Sequence, residues 1–324
     1  MPKLTLIQAI NLALKEEMAR DPAVLVLGED VGKNGGVFRA TEGLYQMFGE
    51  ERSIDTPLAE SGIVGASIGL AVNGFKPVAE IQFEGFTFPA IDQLINHASR
   101  LRNRSRGKYH VPLVVRFPYG GGIRALEHHS DSPEALFCHI PGLKVAIPSN
   151  PYDAKGLLLS AIRDPDPVVF MEPKRIYRAF REEVPEGDYT VPLGQAKVAR
   201  EGTDVTLVAW GAMVRLANQV AEKLAGKRSV EVVDLRTLSP VDEKTVLGSV
   251  SKTGRCVIVH EAARTCGFGA ELIARIQAHA LLKLQAPVLR VTGYDVPVPL
   301  PRLEGYYLPN EARVIQAIEE TMAF

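Results

Sequence analysis

The sequence predicts an α/β protein of two domains, each built on a mainly parallel sheet. Three observations carry this expectation. The chain has 324 residues, about twice a typical domain. Short β-branched runs alternate with longer amphipathic stretches, as strand–helix–strand units require. Between residues 172 and 203 the alternation stops, and Glu172-Pro173, Val184-Pro185 and Val191-Pro192 punctuate a charged segment. The expected division is therefore residues 1–185, a linker over 186–203, and a smaller domain over 204–324.

The elements follow in order. An amphipathic stretch after Met1-Pro2-Lys3 leads to a strand at Val24–Leu27. Pro77–Phe83 reads as a strand and Pro89–Leu101 as a helix. Val111–Phe117 reads as a strand that stops at a Pro and a Gly run. Leu143–Ile147 and Val168–Met171 flank a helical pattern over Tyr152–Arg163. In the second domain, strands are expected at Val205–Ala209, Val230–Val233, Cys256–Val259 and Val288–Val291. Helices end near Leu224 and His279, and a last one covers Asn310–Met322.

Composition narrows the function classes. Thirty-seven basic against 38 acidic residues leave a net charge of −1, with no electrostatic drive toward nucleic acid or an anionic membrane. The most apolar window, Gly62–Phe75, is too short to span a bilayer, which takes about 20 apolar residues. Three cysteines (138, 256 and 266) do not make a disulfide framework, and no signal core opens the chain, so a cytoplasmic protein is expected.

In parallel sheets, ligands sit beyond the carboxyl ends of the strands. Glu29 and Asp30 follow the first strand, where acids also serve as caps or solvated turns. Glu60 lies among small and apolar neighbours, ahead of Gly62, Gly65 and Gly69. Each such glycine costs a helix about 1 kcal/mol relative to Ala, so close packing against another backbone or a ligand is expected. A carboxyl desolvated there would favour its protonated, hydrogen-bond-donating form; the alternative is a helix cap. Phe83, Phe86 and Phe88 follow a strand and suit either the core or a flat heterocycle.

The loop Gly120–Pro133 holds three glycines and the adjacent His128 and His129. Zinc-ligand spacing is absent, so one histidine handling a proton is the better functional assignment, with an idle surface pair as the alternative. The basic run Arg100 to Lys108 ends a helix, where cations complement its dipole. Gly267-Phe-Gly269 opens a helix after a strand but matches only part of a dinucleotide fingerprint, which leaves a nicotinamide-dependent oxidoreductase as a second class of function.

Gly28-Glu-Asp-Val31, Asp55-Thr-Pro-Leu-Ala-Glu-Ser-Gly62, Glu80-Ile-Gln-Phe83, His129-Ser-Asp-Ser-Pro-Glu-Ala135 and Val233-Asp-Leu-Arg236 occur in one order along the whole chain. This resembles the β subunit of the thiamine-diphosphate-dependent 2-oxo acid dehydrogenases, of branched-chain or pyruvate type. The resemblance implies a transketolase-like pyrimidine-binding domain followed by a transketolase C-terminal-like domain.

By the same resemblance, Glu60 matches the glutamate that hydrogen-bonds the coenzyme's aminopyrimidine ring. Glu29 matches a nearby acid that helps to move protons. Leu58, Ala59, Gln82 and Phe86 match the pyrimidine pocket, and Phe83, Glu84, Gly85, Phe86 and His129 the substrate side. His129 matches the catalytic histidine. Leu113, Ala161, Ile162, Asp164 and Asp166 fall where the family holds a structural potassium ion through backbone oxygens.

No Gly-Asp-Gly segment occurs in the chain, and that segment is where such enzymes hold magnesium and the diphosphate. The resemblance thus implies an α subunit that supplies this half, in an α2β2 heterotetramer with thiamine diphosphate shared between the subunits and magnesium held by α. It also implies docking to a dihydrolipoyl acyltransferase core and its lipoyl domain. The expected reaction is oxidative decarboxylation of a 2-oxo acid with acyl transfer to lipoyl. The His129–Ala135 segment favours the branched-chain (2-oxoisovalerate, 3-methyl-2-oxobutanoate) type, with pyruvate as the alternative.

Overall fold

The computed structural model describes residues 1–324. In chain order the first part comprises β1 (Lys3–Leu4), α1 (Leu6–Arg20), β2 (Val24–Gly28), α2 (Leu44–Phe48), β3 (Ser53–Asp55), α3 (Glu60–Val72) and β4 (Lys76–Glu80). It continues with α4 (Ser99–Arg104), β5 (Val114–Tyr119), α5 (Glu134–Cys138), β6 (Lys144–Ala146), α6 (Pro151–Arg163), β7 (Val168–Pro173) and β8 (Glu182–Glu183). The second part comprises β9 (Lys197–Arg200), β10 (Val205–Ala209), α7 (Ala212–Lys223), β11 (Val230–Asp234), β12 (Thr237–Ser239), α8 (Glu243–Thr253) and β13 (Cys256–Val259). It ends with α9 (Phe268–Ala280), β14 (Leu289–Val291), α10 (Glu304–Tyr307) and α11 (Glu311–Met322).

Both expected sheets are present. One has seven strands in the order β12-β6-β7-β5-β4-β2-β3, and the other has five in the order β14-β13-β10-β11-β9. The residues of β2, β5, β7, β10, β11 and β13 are buried throughout, as strands covered on both faces must be. Within these two sheets only β12 and β9 run antiparallel, each at an edge, and β1 and β8 form a separate antiparallel pair.

Two boundaries differ from expectation. Lys197–Arg200, inside the expected linker, is the edge strand β9 of the second sheet, paired with β11. Its half-exposed residues alternate in burial, which a search for apolar runs passes over. Conversely, β12 belongs by sequence to the second domain yet pairs with β6 of the first sheet. Arg236 grips Asp153 of α6 through two hydrogen bonds of 3.0 and 2.7 Å, and Trp210 Nε1 lies 3.3 Å from Glu134 Oε1. The two sheets therefore share buried polar contacts as well as apolar packing.

The helix expected over Pro89–Leu101 is irregular. Glu84–Ala90 forms tight 3₁₀ turns, Gln93–Ala98 a wide π turn, and only α4 is regular. Pro89 lacks the N–H a regular helix would use, and the extra residue of a π turn shifts the phase of the side chains. No helix is long and apolar enough to cross a membrane.

Candidate active site

The register of the first sheet gathers one set of strand ends. Gly28 is paired with Asp55 of β3 and with Glu80 of β4, so Glu29, Thr56 and Ile81 leave the sheet side by side. Gly28 is demanded by this packing, because a Cβ there would meet the Glu80 carbonyl oxygen at 2.6 Å. The loop after Glu29 is held by Asp55, whose carboxylate accepts from Gly32 N at 2.6 Å and Lys33 N at 3.2 Å. Under this edge, Arg116 is buried between Glu80 and Glu172, and both carboxylates hold its charge.

Glu60 is the first residue of α3, where a negative charge meets the positive end of the helix dipole. It is half-buried, not enclosed as expected, because the chain covers the start of α3 on one side only, where Ser61 donates to the Pro89 carbonyl oxygen. Burial pushes the Glu29 carboxyl up, and the neighbouring charges of Asp30 and Glu60 add to it. Leu58 and Ala59, just before Glu60, are exposed.

The glycines of α3 are not explained by the chain's own packing. Gly69 would meet nothing within 4 Å if given a Cβ, and Gly62 only the Ala59 Cβ at 3.6 Å. Their helix cost stands without an intramolecular offset. Gly65 alone approaches a neighbour, the Gln93 Oε1, at 3.4 Å.

Beside α3 lies the aromatic cluster. Gln82, Phe83 and Phe86 are half-buried and Phe88 is 41% exposed, so these rings line the face and do not belong to the closed core. The His129 ring sits 4.2 Å from that of Phe83 and 5.3 Å from that of Phe86, edge-on to both. Its Nδ1 is 2.6 Å from the Glu127 carbonyl oxygen. A carbonyl only accepts, so Nδ1 carries a proton, and in the neutral ring Nε2 is the nitrogen with the lone pair. His128 is exposed and adopts a left-handed backbone at φ 62°.

Two residues expected to line the substrate side do so differently. The Glu84 carboxylate is fully buried and engaged by Lys174, so it does not reach the open face. Gly85 is buried against the chain that carries the histidines; a Cβ there would lie 2.3 Å from the His128 carbonyl oxygen. Lys174, Glu134, Glu261 and Glu304, all buried close to this loop, were not foreseen, because no local motif marks a pairing across 76 to 182 residues.

Comparison with known proteins identifies both domains. Residues 2–179 match the transketolase pyrimidine-binding domain and residues 194–314 the transketolase C-terminal domain. The "Pyruvate dehydrogenase E1 component subunit beta" of Acholeplasma laidlawii is 54% identical over 99% of this chain and 98% of its own. The protein of the same name from Bacillus subtilis (strain 168) is 51% identical over all of both chains. This chain belongs to the β subunits of the thiamine-diphosphate-dependent 2-oxo acid dehydrogenases. In fold it also matches a "Split gene transketolase, inactive beta4 tetramer", with a TM-score of 0.82, 24% identity and 99% of each chain covered.

This β subunit has features that suit one half of the coenzyme. Two acids and a half-buried Phe86 share one open face, as a nitrogen heterocycle requires. No cluster of three or more His, Cys, Asp or Glu side chains is gathered to hold a metal, and no diphosphate motif occurs. The second class of function loses its footing here. Gly267 and Gly269 make room for the buried His260, whose ring atoms would lie 2.7 and 2.8 Å from a Cβ at those positions.

The five candidate cation-binding positions of this β subunit come together. Leu113 precedes β5, Ala161 and Ile162 end α6, and Asp164 and Asp166 lie in the turn to β7. The Asp164 carboxylate is taken by Lys144, both oxygens at 2.6 Å, and that of Asp166 by Arg102 at 2.6 Å. Backbone oxygens are what remains to offer: the Leu113 carbonyl already accepts from Val168 N at 2.9 Å and that of Ala161 from Asp164 N at 3.3 Å, so each has one lone pair left.

Proposed function

We propose that this chain is the β half of a pyruvate-decarboxylating, lipoyl-acylating enzyme, and that it works only with an α subunit that anchors the coenzyme's diphosphate through magnesium. The observation that carries this reading is the single strand-end face bearing Glu29, Glu60, Phe86 and His129, with no diphosphate cradle beside it. The pyruvate assignment follows the relatives' names and replaces the branched-chain preference drawn from His129–Ala135.

In this proposal Glu60 and Glu29 hold and pass a proton at the pyrimidine, Leu58, Ala59 and Gln82 border that ring, and Phe86 packs on it. The coenzyme supplies the electron sink for decarboxylation. His129 offers its free Nε2 to the reacting acid or to the incoming lipoyl group, between Phe83 and Phe86. The uncovered glycine face of α3 receives a helix of the α subunit, in an α2β2 assembly. The carbonyls near Leu113, Ala161, Ile162, Asp164 and Asp166 would hold a potassium ion. The second domain faces the acyltransferase core, and the whole works in the cytoplasm.

The test is co-purification with the α partner and assay with thiamine diphosphate and magnesium. Pyruvate should be preferred over 3-methyl-2-oxobutanoate by kcat/KM, and the isolated chain should be inactive. Turnover by the isolated chain, or preference for the branched acid, would overturn the proposal.

A further inference from the structure

The loop between β5 and α5 carries His129, and its first turn is built from glycines. Gly120 and Gly122 adopt left-handed backbones at φ 81° and 96°. Gly120 N donates to the Asp131 carbonyl at 2.9 Å, which closes the base of the loop. The next N–H groups point across the domain boundary. Gly121 N donates to Glu261 Oε2 at 2.9 Å, directly after β13. Gly122 N and Arg124 N donate to the two oxygens of Glu304, at 2.8 and 3.1 Å.

Glu304 is 5% exposed and stands at the start of α10. Leu308, one turn on, covers Gly121, where a Cβ would lie 3.0 Å from its Cδ2. A buried carboxylate is costly unless its oxygens are satisfied, and apolar packing alone would join the two domains more cheaply. Here each oxygen accepts from a different N–H of one turn, which fixes that turn's geometry, and bonds to an ionised acceptor are the stronger class. Past this clamp the loop runs over the surface, with Leu126 72% exposed, until His128 meets Gly85 and the His129 ring meets Phe83 and Phe86.

We propose that Glu304 of the second domain is a positioning residue, which holds the Gly120–Arg124 turn so that the loop presents His129 between Phe83 and Phe86. This rests on the proposed role of His129. It gives the second domain a part in catalysis that sequence neighbours of His129 do not reveal.

The experiment compares Glu304→Ala, Glu304→Gln and His129→Ala in the assembled α/β enzyme. Trypsin cleavage after the exposed Arg124 reads the order of the loop, and lipoyl acylation reads its function. Glu304→Ala should be cut several-fold faster and lose about tenfold or more in kcat, because small misplacements of a reacting group carry large kinetic costs. KM for the 2-oxo acid and the affinity for thiamine diphosphate should stay unchanged. Glu304→Gln keeps one acceptor and should fall between; if the Ala variant does not assemble, the Gln variant decides on the same readouts. Unchanged cleavage, or faster cleavage with wild-type kcat while His129→Ala is impaired, overturns the positioning role. Wild-type turnover in His129→Ala removes the proposed role of that histidine, and this inference with it, whatever Glu304 does.

Discussion

Lys174 Nζ lies 3.0 Å from Glu84 Oε2, and both side chains are sealed from solvent beneath the Phe83 ring. Burial pushes the Glu84 carboxyl up to about 7 and the Lys174 ammonium down, against their mutual attraction. Such a pair costs desolvation on both sides, and removing one member strands the other. Lys174→Met should therefore destabilise the fold by about 3–5 kcal/mol in urea unfolding, and Glu84→Gln/Lys174→Met should recover most of that. Equal instability of the single and double variants would mean that packing, not charge, is what the site needs.

Glu134 gives a pH prediction. Burial raises its carboxyl to about 8, and the charge of Glu261 adds to the rise. One oxygen faces Trp210 Nε1 at 3.3 Å and the other has no protein partner. The folded chain keeps this proton between the ordinary carboxyl range and about 8, where the unfolded chain has lost it. Its contribution is fully present at acid pH and is lost as pH rises through that window. Glu134→Gln removes the titration, so its thermal midpoint should fall less steeply than the wild type's from pH 5 to pH 8. Parallel profiles would show that Glu134 is ionised in the fold.

The strands were legible because their burial on both faces writes continuous apolar runs: Val205–Ala209 and Cys256–Val259 fall where the sequence places them. The edge strand Lys197–Arg200 and the short β3 were not, since half-exposed or three-residue strands leave little pattern. At the candidate site, Glu29 was marked by its strand-end position, Glu60 by its small and apolar neighbours and the histidine pair by its glycine-rich loop, while the choice of His129 over His128 came from the family resemblance. The surroundings that tune them were not marked. Glu84 meets Lys174 across 90 residues and Gly121 meets Glu261 across 140, and no local period encodes such pairs. The burial of Glu60 was misjudged for a related reason: the small residues after it leave an open face, with no neighbour within 4 Å of a Cβ at Gly69, where the sequence suggested close packing.

Gly85→Ala tests how the two loops fit. A methyl at that position would meet the His128 carbonyl oxygen at 2.3 Å and its Cβ at 2.8 Å, and both are held by backbone. The His128–His129 segment must shift, taking the His129 ring away from Phe86. We expect kcat to drop by about 10- to 100-fold, with cofactor affinity held. The overall fold should change little, because the strain is confined to one loop contact. A fully active Gly85→Ala enzyme would show that His129 tolerates displacement and is not placed for chemistry.

Glu60→Gln separates proton transfer from shape. The amide fills the same space at the mouth of α3 and keeps an acceptor oxygen, yet it cannot take up or release a proton. It also removes one of the two charges that press the Glu29 carboxyl upward, so Glu29 should become more acidic. If the pair passes a proton to the coenzyme's pyrimidine, decarboxylation in the α/β enzyme should fall by at least about 100-fold, the scale of general acid–base catalysis. Coenzyme binding, followed by calorimetry, should weaken far less. His129→Ala should instead spare the steps before the acyl group moves and slow lipoyl acylation. The two variants would then fail at different stages, which single-turnover decarboxylation followed by lipoyl trapping distinguishes. Identical failure of both at the first stage would place His129 and Glu60 in one proton path, and normal decarboxylation by Glu60→Gln would take the glutamate out of the mechanism.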